Sequence, residues 1–363
     1  MNIYVSTTGS DTSGDGSQSN PYRHIQKALD ESSDGDVILI MPGTYETEDS
    51  ISFPSYNNLI IKPSTNKLGD VVITISDSNN LSSGGGGYYL IHGGISNPNP
   101  DRKIFKIVFK VLNSSRKVWI YFAGTYSQEF FTECVFIKGN NVTAECAGMK
   151  HDGYNGGNHT FRAYKCSFID LDYGIVHGAY HYSTYDIQDC IFKGCTYGVS
   201  IRDGDSWTAE NNNCFYDNIH NLYNYDTSTD IDIDSSDITS NPRLYNDYKI
   251  MASSPCVDQG ITISGYVESY KGNAPDIGAW EADLATISGQ VTLNGSPVQG
   301  AIIRVFDQTL EEYIAKTTSN ASGNYSITVI PNHKYHVFVE YTDSSTGEKF
   351  NALSKWNIDP IAL

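Results

Sequence analysis

The chain has 363 residues, of which 24 are basic and 42 are acidic, and its formal net charge is −18. An electrostatic field of this sign opposes binding to nucleic acid and to anionic membranes, so the composition predicts neither as a partner. No apolar stretch reaches the roughly 20 residues that a membrane-spanning helix needs.

The first part of the chain predicts a strand over residues 3–5 and then a short helix. Asn20 suits the N-cap of this helix, Pro21 suits its first position, and the acidic and glycine residues at 34–36 suit its end. The apolar stripe of the helix consists of Ile25, Ala28 and Leu29. A short amphipathic helix of this kind suits an N-terminal cap on an open-ended β-structure. Apolar segments at residues 37–41, 59–62 and 71–75 predict the next strands.

A motif that begins with cysteine and ends with an aromatic residue repeats along the middle of the chain. Cys166, Cys190 and Cys214 start three copies, separated by 190 − 166 = 24 and 214 − 190 = 24 residues. A further copy starts at Cys134, and 166 − 134 = 32, which predicts one period plus an eight-residue insertion in the Gly- and Asn-rich residues 152–158. A fixed period in the twenties with strand-like pieces predicts a solenoid.

If each repeat is one turn of a parallel β-helix, residues at equal offsets stack at the spacing of adjacent strands, about 4.8 Å. The repeat then predicts an inward thiol column and an inward aromatic column. Their members are Cys134, Cys166, Cys190 and Cys214, and Phe136, Phe168, Phe192 and Tyr216. A metal or redox site is the alternative, although ligands converge on one point and do not follow an even spacing. Seven cysteines, an odd number, predict buried free thiols rather than a disulfide framework.

Short motifs lie on either side of the repeat: Tyr4-Val5-Ser6, Asn20-Pro21-Tyr22, Gly35-Asp36-Val37, Pro42-Gly43-Thr44-Tyr45, Asn241-Pro242-Arg243, Ser254-Pro255-Cys256-Val257-Asp258 and Asp276-Ile277-Gly278-Ala279-Trp280. These motifs resemble the entry and exit segments of right-handed parallel β-helix proteins of the pectate-lyase-like superfamily. The resemblance covers about residues 3–281 and implies a right-handed parallel β-helix. It implies no particular chemistry, because the superfamily includes lyases, hydrolases and non-enzymatic fibres.

From Ala285 the pattern changes to short alternating strands separated by turn residues, which predicts a small β-sandwich. Residues 287–301 and 319–325 resemble carboxypeptidase-regulatory-like (transthyretin-like) domains, which bind or connect rather than catalyse. Residues 350–354 are similar to the ends of such domains in tailed-phage structural proteins. The prediction is therefore an all-β chain, with a parallel β-helix domain and its N-terminal capping helix over residues 1–283 and a sandwich over residues 284–363.

Alignment of the turns brings one group of titratable residues together: Asp203, Asp205, His181 and His177. His181 and Asp205 share an offset within the repeat, since 181 − 166 = 15 and 205 − 190 = 15. In an extended segment, Asp203 and Asp205 lie on one face about 6–7 Å apart, near the separation used in glycoside hydrolysis. These four residues are the predicted catalytic site. The alternative is a turn whose carboxylates cap backbone amides.

Three further features each have two interpretations. Arg202 and Asp226 share an offset, which predicts a surface ion pair; alternatively, Arg202 is the base of a lyase and nearby carboxylates hold Ca²⁺. Asp230, Asp232 and Asp234 alternate with isoleucine, which predicts a solvated strand face or, alternatively, a Ca²⁺ site. No other cofactor is predicted. The 26 tyrosines suit either a sugar-recognition surface or a stacked wall.

These features together predict a structural and recognition protein of a tailed-phage virion, on a tail fibre, a tail tip or the capsid surface. Besides the β-helix, the binding-type sandwich and the phage-like tail, the amino terminus lacks the basic and apolar regions of a cleaved export signal. The protein would then be made in the host cytoplasm. Its predicted partners are other virion proteins, cell-surface polysaccharide and further copies of itself, although no coiled-coil heptads enforce an oligomer.

Two other functions stay open on the sequence. The first is a polysaccharide-degrading enzyme, a hydrolase or lyase that acts on cell-surface glycans through Asp203, Asp205 and His181. The second is a bacterial surface adhesin.

Overall fold

The computed structural model of the chain describes residues 1–47, 49–54, 58–76, 81–84, 86–93, 101–123, 128–151, 159–178, 182–267, 270–309, 311–329, 331 and 333–362. The statements below refer to these residues. Nearly all of the regular structure among them is β-strand, and none of their helices is long and apolar enough to cross a membrane.

Three mainly parallel sheets form the larger part of the described chain, and their strands are numbered in chain order. The first sheet has the order β1 (Asn2–Val5), β2 (Val37–Ile40), β5 (Leu59–Pro63), β9 (Asp101–Phe105), β12 (Gln128–Thr132), β15 (His159–Tyr164), β18 (Ser183–Gln188) and β21 (Ser206–Asn211). The second has the order β22 (Cys214–Tyr216), β19 (Ile191–Lys193), β16 (Ser167–Ile169), β13 (Val135–Val142), β10 (Val108–Ser114), β6 (Val71–Ile75) and β3 (Gly43–Glu46). The third has the order β24 (Thr229–Ile231), β23 (His220–Asn224), β20 (Tyr197–Ile201), β17 (Tyr173–His177), β14 (Cys146–His151), β11 (Val118–Ala123), β8 (Gly87–Gly93) and β4 (Ile51–Ser52), and β7 (Ser83–Gly84) pairs with β8.

The strands enter these sheets in rotation, so that a full turn contributes one strand to each sheet. For example, β15, β16 and β17 are followed by β18, β19 and β20, and each strand pairs in parallel with its counterpart one turn later. Apolar residues from all three sheets form a single continuous core. The predicted all-β fold with a parallel β-helix is therefore confirmed, whereas its right-handed sense stays a prediction.

The aromatic column runs through the core as predicted for its first members and departs from the prediction at its end. Its buried rings are Phe109, Phe136, Phe168, Phe192 and Phe215, with successive centroids 5.3, 4.8, 4.8 and 5.0 Å apart. Tyr216 is not a member, and the sequence prediction is wrong on this point. Ile191 pairs with Cys214, and 214 − 191 = 23, so this turn is one residue shorter than the repeat and its residues shift by one position.

The thiol column shows the same shift. Cys134, Cys166 and Cys190 occupy equivalent buried positions, but Asn213 takes the next position and Cys214 lies opposite Ile191. The backbone amide of Cys166 donates to Sγ of Cys190 at 3.4 Å, and the amide of Cys190 donates to Oδ1 of Asn213 at 2.9 Å. The position therefore requires a side chain that accepts a hydrogen bond from the preceding turn. Burial raises the pKa of the Cys166 thiol well above its usual value, which makes it a poor nucleophile.

Each of these column residues follows a corner with the same backbone conformation. The corner residues have positive φ angles: Lys106 (57°), Glu133 (52°), Lys165 (49°), Asp189 (56°) and Asn212 (53°). This left-handed conformation is uncommon for residues other than glycine. Because it recurs in five successive turns, the chain passes from the first sheet to the second through the same bend in each of them.

The charged side chains at two of these corners bind a later segment of the chain. Nζ of Lys165, which is fully buried, donates to the backbone oxygen of Asp276 at 2.8 Å. Oδ2 of the buried Asp189 accepts from the amide of Ile261 at 2.9 Å. Residues 258–267 and 274–280, which belong to the first compact unit, therefore pack along the β-helix over these corners. This packing satisfies two charged groups that would be costly to bury alone.

The eight-residue insertion lies mainly at a different place from the predicted one. The register between neighbouring turns is 169 − 137 = 32 at β13 and β16, 173 − 147 = 26 at β14 and β17, and 183 − 159 = 24 at β15 and β18. Six extra residues therefore lie between β13 and β14, and two lie between β14 and β15. The sequence prediction over residues 152–158 is wrong for most of the insertion, because β13 continues for eight residues.

The described part of the chain contains one helix, α1 (Ile25–Asp30), which is shorter than predicted at both ends. Residues 20–22 do not begin it, because Tyr22 forms a parallel bridge with Val5. The N-cap is His24, whose side chain makes no cap hydrogen bond; instead, Oδ1 of Asp11 accepts from its amide at 3.1 Å. The predicted apolar stripe is correct, since Ile25, Ala28 and Leu29 are buried.

Compact packing divides the chain into two units. The first comprises Met1–Pro242, Asp258–Tyr270 and Ala274–Trp280, and the second comprises Arg243–Val257, Lys271–Asn273 and Glu281–Leu363. The β-helix belongs to the first unit. A single domain boundary between residues 283 and 284 stays a prediction.

The second unit contains small antiparallel sheets. Their strands are β30 (Asn324–Val329), β25 (Ala285–Gln290) and β33 (Ile361–Ala362) in one sheet, and β29 (Glu312–Thr318), β28 (Ile302–Asp307), β31 (Tyr335–Thr342) and β32 (Lys349–Ile358) in another, with a hairpin of β26 (Thr292–Leu293) and β27 (Ser296–Pro297). Buried side chains from β25, β28, β30 and β31 share one apolar cluster. The transthyretin-like character of this unit stays a prediction.

We expect Phe215→Ala to lower the free energy of unfolding by about 3–5 kcal/mol, because it opens a cavity at the end of the aromatic column. The matched Tyr216→Ala variant should cost only about 1 kcal/mol, because Tyr216 is half-buried and outside the column. Denaturant unfolding of both variants measures the difference. Equal losses would mean that Tyr216 carries the stacking, and the one-residue shift would then be wrong.

Candidate functional site

The predicted pair of carboxylates does not share a face. The amide of Asp205 donates to the backbone oxygen of Arg202 at 3.1 Å, and Gly204 has a φ of 89°, so this segment is a turn and not an extended strand. Asp203 is exposed, whereas the side chain of Asp205 has an exposed fraction of 0%. A glycosidase-type pair formed by Asp203 and Asp205 is therefore not what the structure presents.

Asp205 instead organises the corner between the third and first sheets. Its Oδ1 accepts from the amide of Ser183 at 2.7 Å, and its Oδ2 accepts from the amide of Arg202 at 2.8 Å. Oδ2 also lies 2.8 Å from Nδ1 of His177, whose ring is buried. A carboxylate that receives several hydrogen bonds is well stabilised when buried. His181, the fourth predicted residue, lies outside the described residues.

His177 belongs to a polar cluster on the inner side of the third sheet. His151 pairs with His177 in register, and their ring centroids are 5.4 Å apart. Nδ1 of His151 lies 3.0 Å from Oγ of Ser183, and all three side chains are buried. This network brings His177 and Asp205 together as predicted. Because this network is enclosed in the core, a large substrate cannot reach it. The network instead holds the corner in one conformation.

The surface above this network carries a group that we name the tyrosine rim: Tyr182, Arg202, Asp203, Tyr225 and Asp226. Tyr182 and Tyr225 have exposed fractions of 65% and 52%. Nη1 of Arg202 donates to Asp226 at 2.8 Å, which confirms the predicted ion pair, and its guanidinium lies 4.8 Å from the ring centroid of Tyr225. The amide of Asp203 donates to Oδ2 of Asp226 at 3.0 Å. The rim therefore combines exposed aromatic rings with charged groups that are held in place.

Glycine at position 204 is required by the rim. A Cβ atom there would lie 1.9 Å from Cε1 of Tyr182, so the ring of Tyr182 packs directly against the turn backbone. In the sequence, Tyr182 and Tyr225 are only two of the 26 tyrosines that suit either a recognition surface or a stacked wall. The signal that could have selected them is their placement beside Gly204 and Arg202 once the turns are aligned.

Other tyrosines form the stacked wall that the sequence offered as an alternative. The rings of Tyr173 and Tyr197 are 4.9 Å apart with an interplanar angle of 8°, and the ring of His220 follows at 4.9 Å and 13°. Because these rings cover one another's faces along the outside of the third sheet, few faces are left for a ligand. Burial raises the pKa of Tyr173 to about 12.

A carboxyl pair that the sequence did not indicate lies at the last turn. Nδ2 of Asn213 donates to Oε1 of Glu210 at 2.9 Å, and the backbone amide of Asn213 donates to Oδ1 of Asp237 at 2.7 Å. Burial, and next the negative charge of Asp237, raise the pKa of Glu210 to about 8. Burial also raises the pKa of Asp237. A pKa of about 8 favours the protonated, uncharged form of Glu210 at neutral pH.

The acidic segment beside this pair has the predicted alternation of exposed aspartate and core-facing isoleucine, although its strand, β24, ends at Ile231. Ile231 and Ile233 pack against the core, whereas Asp230, Asp232 and Asp234 are exposed. Within the described ranges, no group of three or more His, Cys, Asp or Glu side chains is placed to hold a metal ion.

Comparison with known proteins concerns part of the chain and its fold. The family described as "Protein of unknown function (DUF1565)" matches residues 7–109, which is less than half of the chain. No curated protein matches the chain. Among solved structures, a rhamnogalacturonan lyase has 11% identity and a TM-score of 0.40 over 61% of this chain and 70% of its own. A pectate lyase has 13% identity and a TM-score of 0.29 over 77% of this chain and 96% of its own. Neither likeness bears on the chemistry of this chain.

The raised pKa of Glu210 predicts that the stability of the fold depends on pH. Glutamate has a pKa of about 4.3 in an unfolded chain, so the raised pKa of Glu210 stabilises the fold fully below that pH. This contribution is lost as the pH rises through the folded value of about 8. We therefore expect the free energy of unfolding of the unsubstituted protein to fall between about pH 5 and 9 relative to a Glu210→Gln variant.

Denaturant unfolding at several pH values measures this difference. Asp232→Asn removes an exposed carboxyl of the same region and should leave the pH profile unchanged. A Glu210→Gln profile parallel to that of the unsubstituted protein would show that Glu210 does not hold the proton.

Proposed function

We propose that the protein is a recognition component of a tailed-phage virion that binds a cell-surface polysaccharide through the tyrosine rim. The observation that carries this proposal is the exposure of Tyr182 and Tyr225 beside the paired charges of Arg202 and Asp226. Sugar rings pack their apolar faces on exposed aromatic rings and direct hydroxyls to charged, planar groups.

The underlying structure favours such a role because it holds the rim in one conformation before a ligand arrives. The buried carboxylate of Asp205 accepts from the amide of Arg202 in its own turn and from the amide of Ser183 one turn earlier. The guanidinium of Arg202 is fixed by Asp226 and Tyr225. Side chains that are already ordered lose little entropy on binding. We further infer that α1 acts as the cap of the first turn and that the second unit is a binding-type sandwich, as the resemblance implies.

A polysaccharide-degrading enzyme is the second candidate, and a specific observation favours it. Asp203 and Asp226 both belong to the rim, and the amide of one binds the carboxylate of the other. Glycoside hydrolysis uses two carboxyl groups on either side of the scissile bond. In this version, Asp226 replaces the buried Asp205 as the partner of Asp203, and new reducing ends on a bound polysaccharide would reveal the activity.

We expect Tyr225→Ala to weaken binding to an immobilised bacterial surface polysaccharide by about tenfold, equivalent to about 1.4 kcal/mol. The ring supplies both a stacking face and the support of Arg202. Tyr313→Ala is the matched control, since Tyr313 is a similarly exposed tyrosine, with an exposed fraction of 54%, in the second unit. Binding on a glycan array measures both variants. Equal binding by both would remove the rim from the proposal.

The virion location is tested on particles rather than on the isolated chain. Gold-labelled antibodies against this protein should decorate purified phage particles from cells that express its gene. Particles from a strain that lacks the gene are the control. Label confined to the soluble fraction of the lysate would overturn the virion role while leaving polysaccharide binding to be judged on its own measurement.

A further inference from the structure

A second polar cleft lies at the first turn of the β-helix, away from the tyrosine rim. It has a volume of about 780 Å³ and is bounded by the loop after β1, by α1, and by residues 44–47 and 49–51. This volume is within the range of small-molecule sites, about 300–1,000 Å³. The geometry points to a binding site for a saccharide without acidic groups, either neutral or amine-bearing.

One wall of the cleft is built around Asp11. Its Oδ1 accepts from the amides of Arg23 and His24 at 2.8 and 3.1 Å, and its Oδ2 lies 2.5 Å from Nδ1 of His24. With Nδ1 held in this way, Nε2 is the nitrogen that His24 offers to a ligand. The side chain of His24 is 45% exposed, so the ring is reachable from solvent.

The remaining walls are also held by hydrogen bonds. The side chain of Gln26 accepts from the amide of Ser52 at 2.7 Å and donates to Asp30 at 2.8 Å, which ties α1 to β4. Oε1 of Glu46 accepts from Oγ of Ser76 at 3.0 Å. Polar side chains that are already ordered lose little conformational entropy when a ligand binds. Their preorganisation therefore favours binding in this cleft.

The lining determines the class of ligand. Four carboxylates face two permanently charged cations, and the residues are Asp11, Asp30, Glu46 and Asp49, and Arg23 and Lys27. This excess of negative charge disfavours uronates and other polyanions. Hydroxyl-bearing residues also line the cleft, among them Thr7, Thr44 and Ser50. Such a mixture of donors and acceptors suits the hydroxyl and amino groups of a neutral or amino sugar.

The cleft and the tyrosine rim lie at different places along the first sheet. The cleft is next to β1, whereas the rim is next to β21, and these strands are the opposite edges of the first sheet. Seven strand spacings separate these edges, a distance of about 34 Å. The cleft is therefore a second site, and it does not depend on binding at the rim.

The test uses the full chain on an array of oligosaccharides in three classes: neutral hexose, amino sugar and uronate. We expect retention on the neutral or amino-sugar class and none on uronates. Asp49→Asn and Arg23→Gln should each weaken this retention by about tenfold or more, a change of about 1.4 kcal/mol. Asp15→Asn is the matched control, because Asp15 is an exposed carboxylate of the same region outside the cleft.

The experiment tests binding at the cleft and binding at the rim separately. Loss of retention in Asp49→Asn with full retention in Tyr225→Ala supports the cleft, whatever the outcome at the rim. Retention that Asp49→Asn and Arg23→Gln leave unchanged, preferential binding of uronates, or no retention of any class would overturn the proposal. Thermal unfolding of each variant distinguishes a lost contact from a lost fold, and a ligand-induced shift of the His24 imidazole resonances reports binding without a cleft substitution.

Discussion

The structure depends on a hydrogen bond between successive turns at the corner from the first sheet to the second. A residue with positive φ turns the chain, and the amide of the following residue donates to a side chain one turn later. Cys190, Asn213 and Asp237 supply the acceptors for Cys166, Cys190 and Asn213 in turn. A buried amide without a partner would cost about 1–3 kcal/mol, so the sequence is constrained at this position in each of these turns.

This constraint explains why a column that begins with sulfur ends with a carboxylate. Thiol, amide and carboxylate differ in charge and size, but each accepts a hydrogen bond. Burial and the negative charge of Asp237 together raise the pKa of Glu210. The carboxyl pair is therefore a consequence of ending the column with an acidic acceptor beside the edge strand β21.

Much of the fold could be predicted from the sequence because stacked turns make a periodic pattern. The columns through Cys134, Cys166 and Cys190 and through Phe136, Phe168 and Phe192 followed directly from that period. The errors arose where the period changes. Tyr216 was assigned to the aromatic column because a turn of 23 residues cannot be recognised when a cysteine happens to recur after 24. Asn20 was assigned as the N-cap because a bridge from Tyr22 to Val5 leaves no local signal.

The candidate site was only partly predictable, for a related reason. Alignment of the turns correctly placed His177 near Asp205, whereas the equal offset itself belonged to His181, which lies outside the described residues. The relation between Asp203 and Asp205 depends on whether the segment is extended or turned. Gly204 decides this, since its φ of 89° suits glycine and reverses the side chains. Glu210 and Asp237 are 237 − 210 = 27 residues apart, which matches no repeat, so no alignment of turns could pair them.

The rigidity of the β-helix affects how two saccharide sites would act together. The rim and the cleft lie about 34 Å apart along stacked strands that leave little freedom to change this distance. When one ligand spans two weak sites on a rigid support, its overall affinity exceeds that of either site alone. No conformational entropy of a flexible linker is lost in this case. A short oligosaccharide cannot reach both sites, whereas a long surface polysaccharide can. Such a protein would discriminate by ligand length as well as by sugar type, which suits recognition of a cell surface better than capture of a soluble fragment.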